Sequence, residues 1–443
     1  MLKTFPIGGI HPSDSKISKD CSTEVMPLPK SVTIPLSQHI GAPAQAVVAK
    51  GDRVRTGQLI ARSNGFVSSN IHSSVTGVVT AVDTFVDQAG LRKPGITISV
   101  EPDEWMDGID TSTQIIRECT LSPQEIIARI ANAGIVGMGG ATFPTHVKLS
   151  VPEGKHADWL IINGVECEPY LTDDYRVMIE RSEEILIGVK ILAKALGVEN
   201  VAIGIENNKP DAIEKLTKLS GIISPNTQIV PLKVQYPQGG EKQLIAAVTG
   251  RQVPSGGLPI DVGAIVQNVG TALAVYEAVQ KNKPLIDRIV TVTGHVERQA
   301  NVLVRIGTSM ADLMEYCGGV PDTAGKVISG GPMMGRAIAN LNAPIVKGTS
   351  ALLVMAQTES LRQQSQPCVR CAKCVNACPM GIETYLLSKL SRNSRWEDAE
   401  AHHITDCIEC GSCSWGCPSS LPLLDFIRIG KAEVMKIIRA RKN

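Results

Sequence analysis

The chain has 443 residues, enough for three or four domains that each bury a core, and its 43% hydrophobic and 20% charged content is that of an ordinary globular protein. Basic (44) and acidic (43) side chains balance and aromatics make up only 3%, which leaves no net field for nucleic acid and little to stack its bases on. The uncharged run 262–276 is broken by Gly263, Gln267, Asn268 and Gly270 and falls short of the ~20 apolar residues of a membrane span. The first residues lack the apolar stretch of a secretory signal, so a chain with no transmembrane helix in a reducing cytosol is expected.

In chain order, residues 1–105 carry short, regularly spaced β runs, the turn "KGDRVRTGQLIA" and the return "SSVTGVV", which predict an all-β barrel-sandwich of the biotinyl or lipoyl type. No lysine occurs from Gly51 to Arg92, so the domain reads as a scaffold or docking module without a lipoyl or biotin arm. Residues 112–285 read as α/β. Ser122-Pro123-Gln124-Glu125 is a capping box for a helix that stops at Gly134. The glycine loop that follows, "GIVGMGGATFPTHVK", fits neither GxxxxGK[ST] nor GxGxxG, and is either a phosphate-binding loop or a tight turn. Pro144 and Thr145 can open a helical turn whose N–H groups face an anion, with Lys148 one turn on. The apolar strand 159–162 then opens into Asn163, Glu166 and Glu168. Alternating helix-like and strand-like segments beyond it, among them "NVAIGIE" and "QIVPLKV", predict a doubly wound sheet with binding loops at the carboxyl ends of its strands.

Of twelve cysteines, Cys368, Cys371, Cys374, Cys378, Cys407, Cys410, Cys413 and Cys417 form two runs, "CVRCAKCVNACP" and "CIECGSCSWGCP". Both read C-x2-C-x2-C-x3-C-P, the bacterial ferredoxin pattern, in which the fourth cysteine of each run ligates the other cluster. The expected ligand sets are Cys368, Cys371, Cys374 with Cys417, and Cys407, Cys410, Cys413 with Cys378, holding two [4Fe-4S] clusters. Structural zinc favours two CxxC pairs with a longer spacer, and disulfide frameworks belong to small secreted domains. Cys21, Cys119, Cys167 and Cys317 read as small buried residues. Because such clusters carry single electrons, a second cofactor is expected elsewhere in the chain.

The loop "GMGGATFPTHVK" with "NGVECEP" resembles two segments of the flavoprotein subunit of respiratory complex I, and "YPQGGEKQLIAAVTG" and "VQNVGT" are similar to two more, in the same order. In that family FMN accepts hydride from NADH. The resemblance implies that Gly137, Gly139, Gly140, Phe143 and Lys148 wrap FMN, with Asn163, Glu166, Asn268 and Thr271 completing its polar shell. It sets Glu168 and Glu241 toward the nicotinamide and ribose of NAD(H), with Lys148 nearby, while Tyr236 serves the cofactor or packing. Gly240 replaces the first of that family's glutamate pair.

The opening "FPIGGIHPSDSK" is similar to that of the RnfC family, "VISGGPMMG" matches another stretch of it, and the segment from Asp287 to Val320 resembles an SLBB (β-grasp) domain. The implied layout is the barrel-sandwich (1–105), a Rossmann-like FMN/NADH domain (112–285), an SLBB-like domain (286–350), a helical two-cluster ferredoxin domain (358–430) and a basic tail (431–443). The implied function is an NAD-dependent flavin and iron–sulfur oxidoreductase, the NADH-reactive subunit of a membrane ferredoxin:NAD oxidoreductase. Its partners would be the membrane ion-translocating subunits and an iron–sulfur subunit, and its place the cytoplasmic face of the cell membrane. Two alternatives are a microcompartment-type cobalamin reductase and a flavin-free electron-wire or adaptor subunit. The tail, with six basic residues from Arg428 to Lys442 and Ile427, Val434, Met435, Ile437 and Ile438 for an apolar side, reads either as an amphipathic helix that docks on anionic headgroups or acidic partner loops, or as a plain solvated helix whose cations suit its dipole, and Gly430 weakens it.

Overall fold

The computed structural model describes residues 2–442. The barrel-sandwich packs a four-stranded sheet, ordered Ser31–Pro35, Arg92–Val100, Gly77–Val86 and Arg53–Val54, with a three-stranded sheet of Gln45–Ala46, Leu59–Arg62 and Ile71–His72. Alternate residues point inward, so Val32, Ile34, Ile96 and Ile98 meet Ile60 and Ile71 in its core. Residues 2–25, assigned with this domain from the sequence, run outside the barrel.

The second domain is a four-stranded parallel sheet in the order Thr227–Leu232, Asn200–Glu206, Trp159–Asn163, Ala264–Asn268. Its strands are mostly apolar because both faces are covered. Leu160 and Ile162 pack with helices Ser182–Leu196 and Val269–Gln280, whereas Ile161 faces the Glu241–Thr249 helix on the other side. Chain order runs outward in both directions from Trp159–Asn163, so the switch point lies between this strand and Ala264–Asn268, whose last residues, Asn163 and Asn268, are register partners.

In the third domain the Met310–Tyr316 helix covers a six-stranded sheet in which Asp287–Gly294 lies between Ala300–Arg305 and Ala351–Ala356. The edge strand beside Ala300–Arg305 is Thr23–Val25, brought from the amino terminus. The C-terminal domain is helical, with Leu387, Ala399, Ile404, Ile427 and Val434 fully buried. The basic tail is not a separate element here. Leu423–Lys442 is one helix lying along Thr384–Arg392, and Gly430 permits the approach, since a Cβ there would come within 2.0 Å of Ser391 Oγ. Two of the apolar residues expected to face a membrane, Ile427 and Val434, are therefore core.

The amino-terminal segment ties the domains together. Lys3 bridges to Leu232 of the parallel sheet, Ile10 exchanges hydrogen bonds with Tyr236, and the Gly9 N–H donates to Ala377 O at 3.0 Å in the cysteine domain. Lys16 Nζ donates to the carbonyls of Glu166 (2.7 Å), Glu168 (2.9 Å) and Leu171 (2.7 Å).

Candidate functional site

The helix Pro123–Asn132 starts at the expected capping box and ends two residues before Gly134, whose positive φ of 67° turns the chain toward the switch point. There the glycine loop closes on itself through Gly137 N–H to Phe143 O (2.9 Å). Met138 N–H donates to Thr271 Oγ1 at 3.0 Å. Asn268 caps the Val269–Gln280 helix, its Oδ1 accepting from Gly270 N (2.8 Å) and Thr271 N (3.3 Å), and its Nδ2 donates to Asp174 Oδ2 at 2.7 Å. Gly139 sits so close that a Cβ on it would lie 2.6 Å from Asn268 Nδ2, while a Cβ on Gly140 would meet nothing within 4 Å. Among the described residues, the amides of Gly139, Gly140 and Ala141 find no acceptor. A loop with free amides and one open glycine at a switch point fits the polar edge and phosphate of a flavin nucleotide. The turn Thr145–Leu149 has five residues and no side-chain cap, so these loop amides, rather than a helix dipole, are what an anion would meet.

Lys148 Nζ donates to Glu241 Oε1 (2.7 Å) and to Val266 O (3.1 Å), pairing two residues predicted for the cofactor site across the open end of the sheet. Asn163 Nδ2 holds Gly239 O at 2.9 Å, fixing the loop before the Glu241–Thr249 helix. Glu166, at φ 48°, turns its Oε1 to accept from Asp174 N (2.8 Å), and its buried Oε2 lies 3.7 Å from Lys16 Nζ. Glu168 accepts from the amides of Met333 (3.1 Å) and Met334 (2.7 Å) in the third domain's "GGPMMG" turn. Burial pushes its carboxyl up to about 7, against the pull of those amides and Lys16. Burial, then Glu166, does the same to Asp174, also to about 7.

The C-terminal cysteines divide in two. Cys378, Cys407, Cys410 and Cys413 line one pocket with Met380, Ile408 and Leu424, bringing together the set that the crossover predicts. Burial raises the thiols of Cys407 to about 11 and Cys413 to about 12, so this pocket suits thiolates only when they are neutralised by metal. Among the described residues, no three His, Cys, Asp or Glu side chains stand at single-ion spacing, and a cubane spreads its four sulfurs further than one ion does. In the second set Cys368 and Cys371 are exposed, and Cys374 and Cys417 are half-buried.

The buried set adjoins the α/β domain. Tyr236, 2% exposed, donates its hydroxyl to Cys410 O at 2.8 Å, Gln243 Nε2 donates to Pro379 O at 3.3 Å, and a Cβ on Gly8 would strike Cys378 O at 2.4 Å. Sequence reasoning missed Asp173, Asp174, Arg288 and Lys347. Two acids opening a helix read as ordinary complements to its dipole, and a cation in a β run as a solvated edge; no local signal reveals that all four are turned inward toward the glycine loop.

Residues 3–104 match the RnfC barrel sandwich hybrid domain, 130–277 the Nuo51 FMN-binding domain, 289–337 the SLBB domain and 367–421 the 4Fe-4S dicluster domain. The chain is 46% identical to the C subunit of the proton-translocating ferredoxin:NAD(+) oxidoreductase complex of Clostridium ljungdahlii, over 98% of this chain and 94% of that one. It is 42% identical to the C subunit of the Na(+)-translocating ferredoxin:NAD(+) oxidoreductase complex of Acetobacterium woodii (97% and 96% covered). It is likewise 42% identical to the C subunit of the ion-translocating oxidoreductase complex of Rhodobacter capsulatus (98% and 84% covered). Among solved structures, a chain of the NAD+-reducing [NiFe]-hydrogenase in the H2-reduced state shares the fold, with TM-score 0.50 and 17% identity over 71% of this chain and 63% of that one.

Proposed function

Because this chain belongs to the RnfC family of ion-translocating ferredoxin:NAD(+) oxidoreductase complexes, we propose that its glycine loop holds FMN at the switch point and that NAD(H) reacts there. FMN bound in that loop would supply the conversion between a two-electron hydride and the single electrons that iron–sulfur clusters carry. The chain's own residues bind and orient. Gly139, Gly140 and Ala141 offer amides to the cofactor, Asn268 and Thr271 hold the loop, and Asn163 and Glu166 shape its floor. Lys148, kept in place by Glu241, presents a cation at the mouth, where NAD(H) brings its phosphates. Glu168 lies deeper, at the meeting of the second and third domains.

Two [4Fe-4S] clusters are held by the eight cysteines in crossed sets. The observation that carries the reading is the shared wall between the α/β domain and the buried cysteine set, where Tyr236, in one of the segments similar to the complex I flavoprotein, bonds the backbone of Cys410. The exposed set, with Cys368 and Cys371, faces outward and supports electron exchange with another protein of the complex. Among the described residues no helix is long and apolar enough to cross a membrane. On this reading, ion movement falls to other subunits of the complex and this subunit lies on its cytoplasmic face. Anaerobic reconstitution tests the proposal: about one FMN and eight irons per chain are expected, with bleaching of the flavin band by NADH. A chain that takes up iron but no flavin would instead be an electron-wire subunit.

A further inference from the structure

Residues 138 and 139 of the glycine loop are gripped from two sides, and both grips lead to consecutive aspartates that open the Asp173–Glu180 helix. On one side Asp174 Oδ2 accepts from Asn268 Nδ2 at 2.7 Å, and that amide is the group against which Gly139 packs. On the other, Arg288 reaches in from the Asp287–Gly294 strand of the third domain. Its Nη1 donates to Met138 O (3.3 Å) and Lys347 O (2.6 Å), and its Nη2 donates to Asp173 Oδ2 (3.4 Å). Asp173 (5%), Arg288 (6%) and Asn268 (7%) are buried, and Asp174 is half-buried beside them. Carboxylates leave water at a cost of several kcal/mol unless paired, and a pair of apolar residues would fill the same volume more stably. Such an arrangement is kept for geometry. It fixes which way the Asn268 amide points and where the Met138 carbonyl lies, and hence the direction of the free amides that follow.

We infer that Asp173 and Asp174 are positioning residues for the cofactor loop, and that the third domain, through Arg288, sets the shape of that loop. The inference rests on the FMN reading above, and its readouts are separable from it. Asp174→Ala removes the acceptor, whereas Asp174→Asn keeps an oxygen for Asn268 at the same place. Titration of apo-protein into FMN, followed by quenching of flavin fluorescence, should show affinity about tenfold or more weaker for the alanine chain and within about threefold of wild type for the asparagine chain. Equal losses in both, or an unchanged alanine chain, would overturn the inference. Arg288→Lys retains the buried charge but cannot reach Asp173 and Met138 together. Wild-type affinity in that chain overturns the inference as well, so the outcome does not hang on whether the alanine chain folds. If the wild-type chain itself binds no FMN, the cofactor reading fails, and hydrogen exchange decides the clamp alone. Exchange of the Met138, Gly270 and Thr271 amides, which donate to Thr271 Oγ1 and Asn268 Oδ1, should speed about tenfold or more in Asp174→Ala, and unchanged exchange sinks the clamp.

Discussion

Lys347 is 1% exposed, and its ammonium donates to Asn70 O at 2.8 Å and Gly134 O at 2.7 Å. Burial lowers its pKa from 10.5 to about 7. Between those values the unfolded chain holds a proton that the folded chain releases, so the lysine destabilises at and below pH 7 and the cost is relieved as pH rises toward 10.5. Wild type should therefore gain a few kcal/mol over Lys347→Met between pH 7 and 10, at about 1.4 kcal/mol per pKa unit. Parallel urea-unfolding curves at the two pH values would show that the lysine keeps its ordinary proton. The two loop glycines separate in the same way. Gly139→Val drives its Cβ into Asn268 and should cost about 1–3 kcal/mol in the apo-protein as well as FMN. Gly140→Val points into open space and should leave the apo melting curve within about 0.5 kcal/mol while abolishing FMN uptake. Unchanged FMN uptake in the Gly140→Val chain would show that this glycine does not face the cofactor. At this scale cysteine spacing was legible without a structure, because the ligand pattern is local. The Asp174–Asn268 and Asp173–Arg288 pairs were not, because each joins residues about a hundred positions apart through their burial.

Elements were readable where a single period governs them. The capping box at Ser122 and the alternating helices and strands of the second domain appear as expected, since a strand covered on both faces is filled mostly by apolar residues. The last helix departs from expectation because its glycine answers to a neighbour rather than to propensity. Gly430→Ala, which would gain about 1 kcal/mol in an exposed helix, should instead destabilise the cysteine domain by about 1–3 kcal/mol, because its Cβ meets Ser391 Oγ at 2.0 Å and Ile404 at 3.0 Å. A stabilised variant in chemical denaturation would mean that the helix stands off. The same packing changes what truncation does. Ending the chain at Ile429 removes Val434 from the core and Lys431, whose Nζ donates to Cys407 O at 2.6 Å. The truncated protein should lose iron from the buried set and with it NADH-dependent dye reduction, where a separable tail would have left both intact.

Across the whole molecule the domain order was legible, and the path of the first 25 residues was not, because no periodicity marks a segment that borrows its partners from three other domains. Gly8 has φ 72° and no room for a side chain beside the Cys378 carbonyl. Gly8→Val should weaken the attachment of the cysteine domain by about 1–3 kcal/mol, leaving flavin bleaching by NADH intact and slowing the onward reduction of the clusters. Stopped-flow traces in which both phases keep their wild-type rates would show that the segment is mere packing. This threading also has a temporal side. Residues 3, 10 and 23–25 are made well before their partners, since they dock on Leu232, Tyr236 and 301–303, and Gly9 waits for Ala377. The domains cannot be sealed one after another as they leave the ribosome, since Gly9 finds its acceptor only once Ala377 has been made. Until then the backbone of Cys378, one of the four cysteines that line the buried pocket, lacks its Gly8 neighbour.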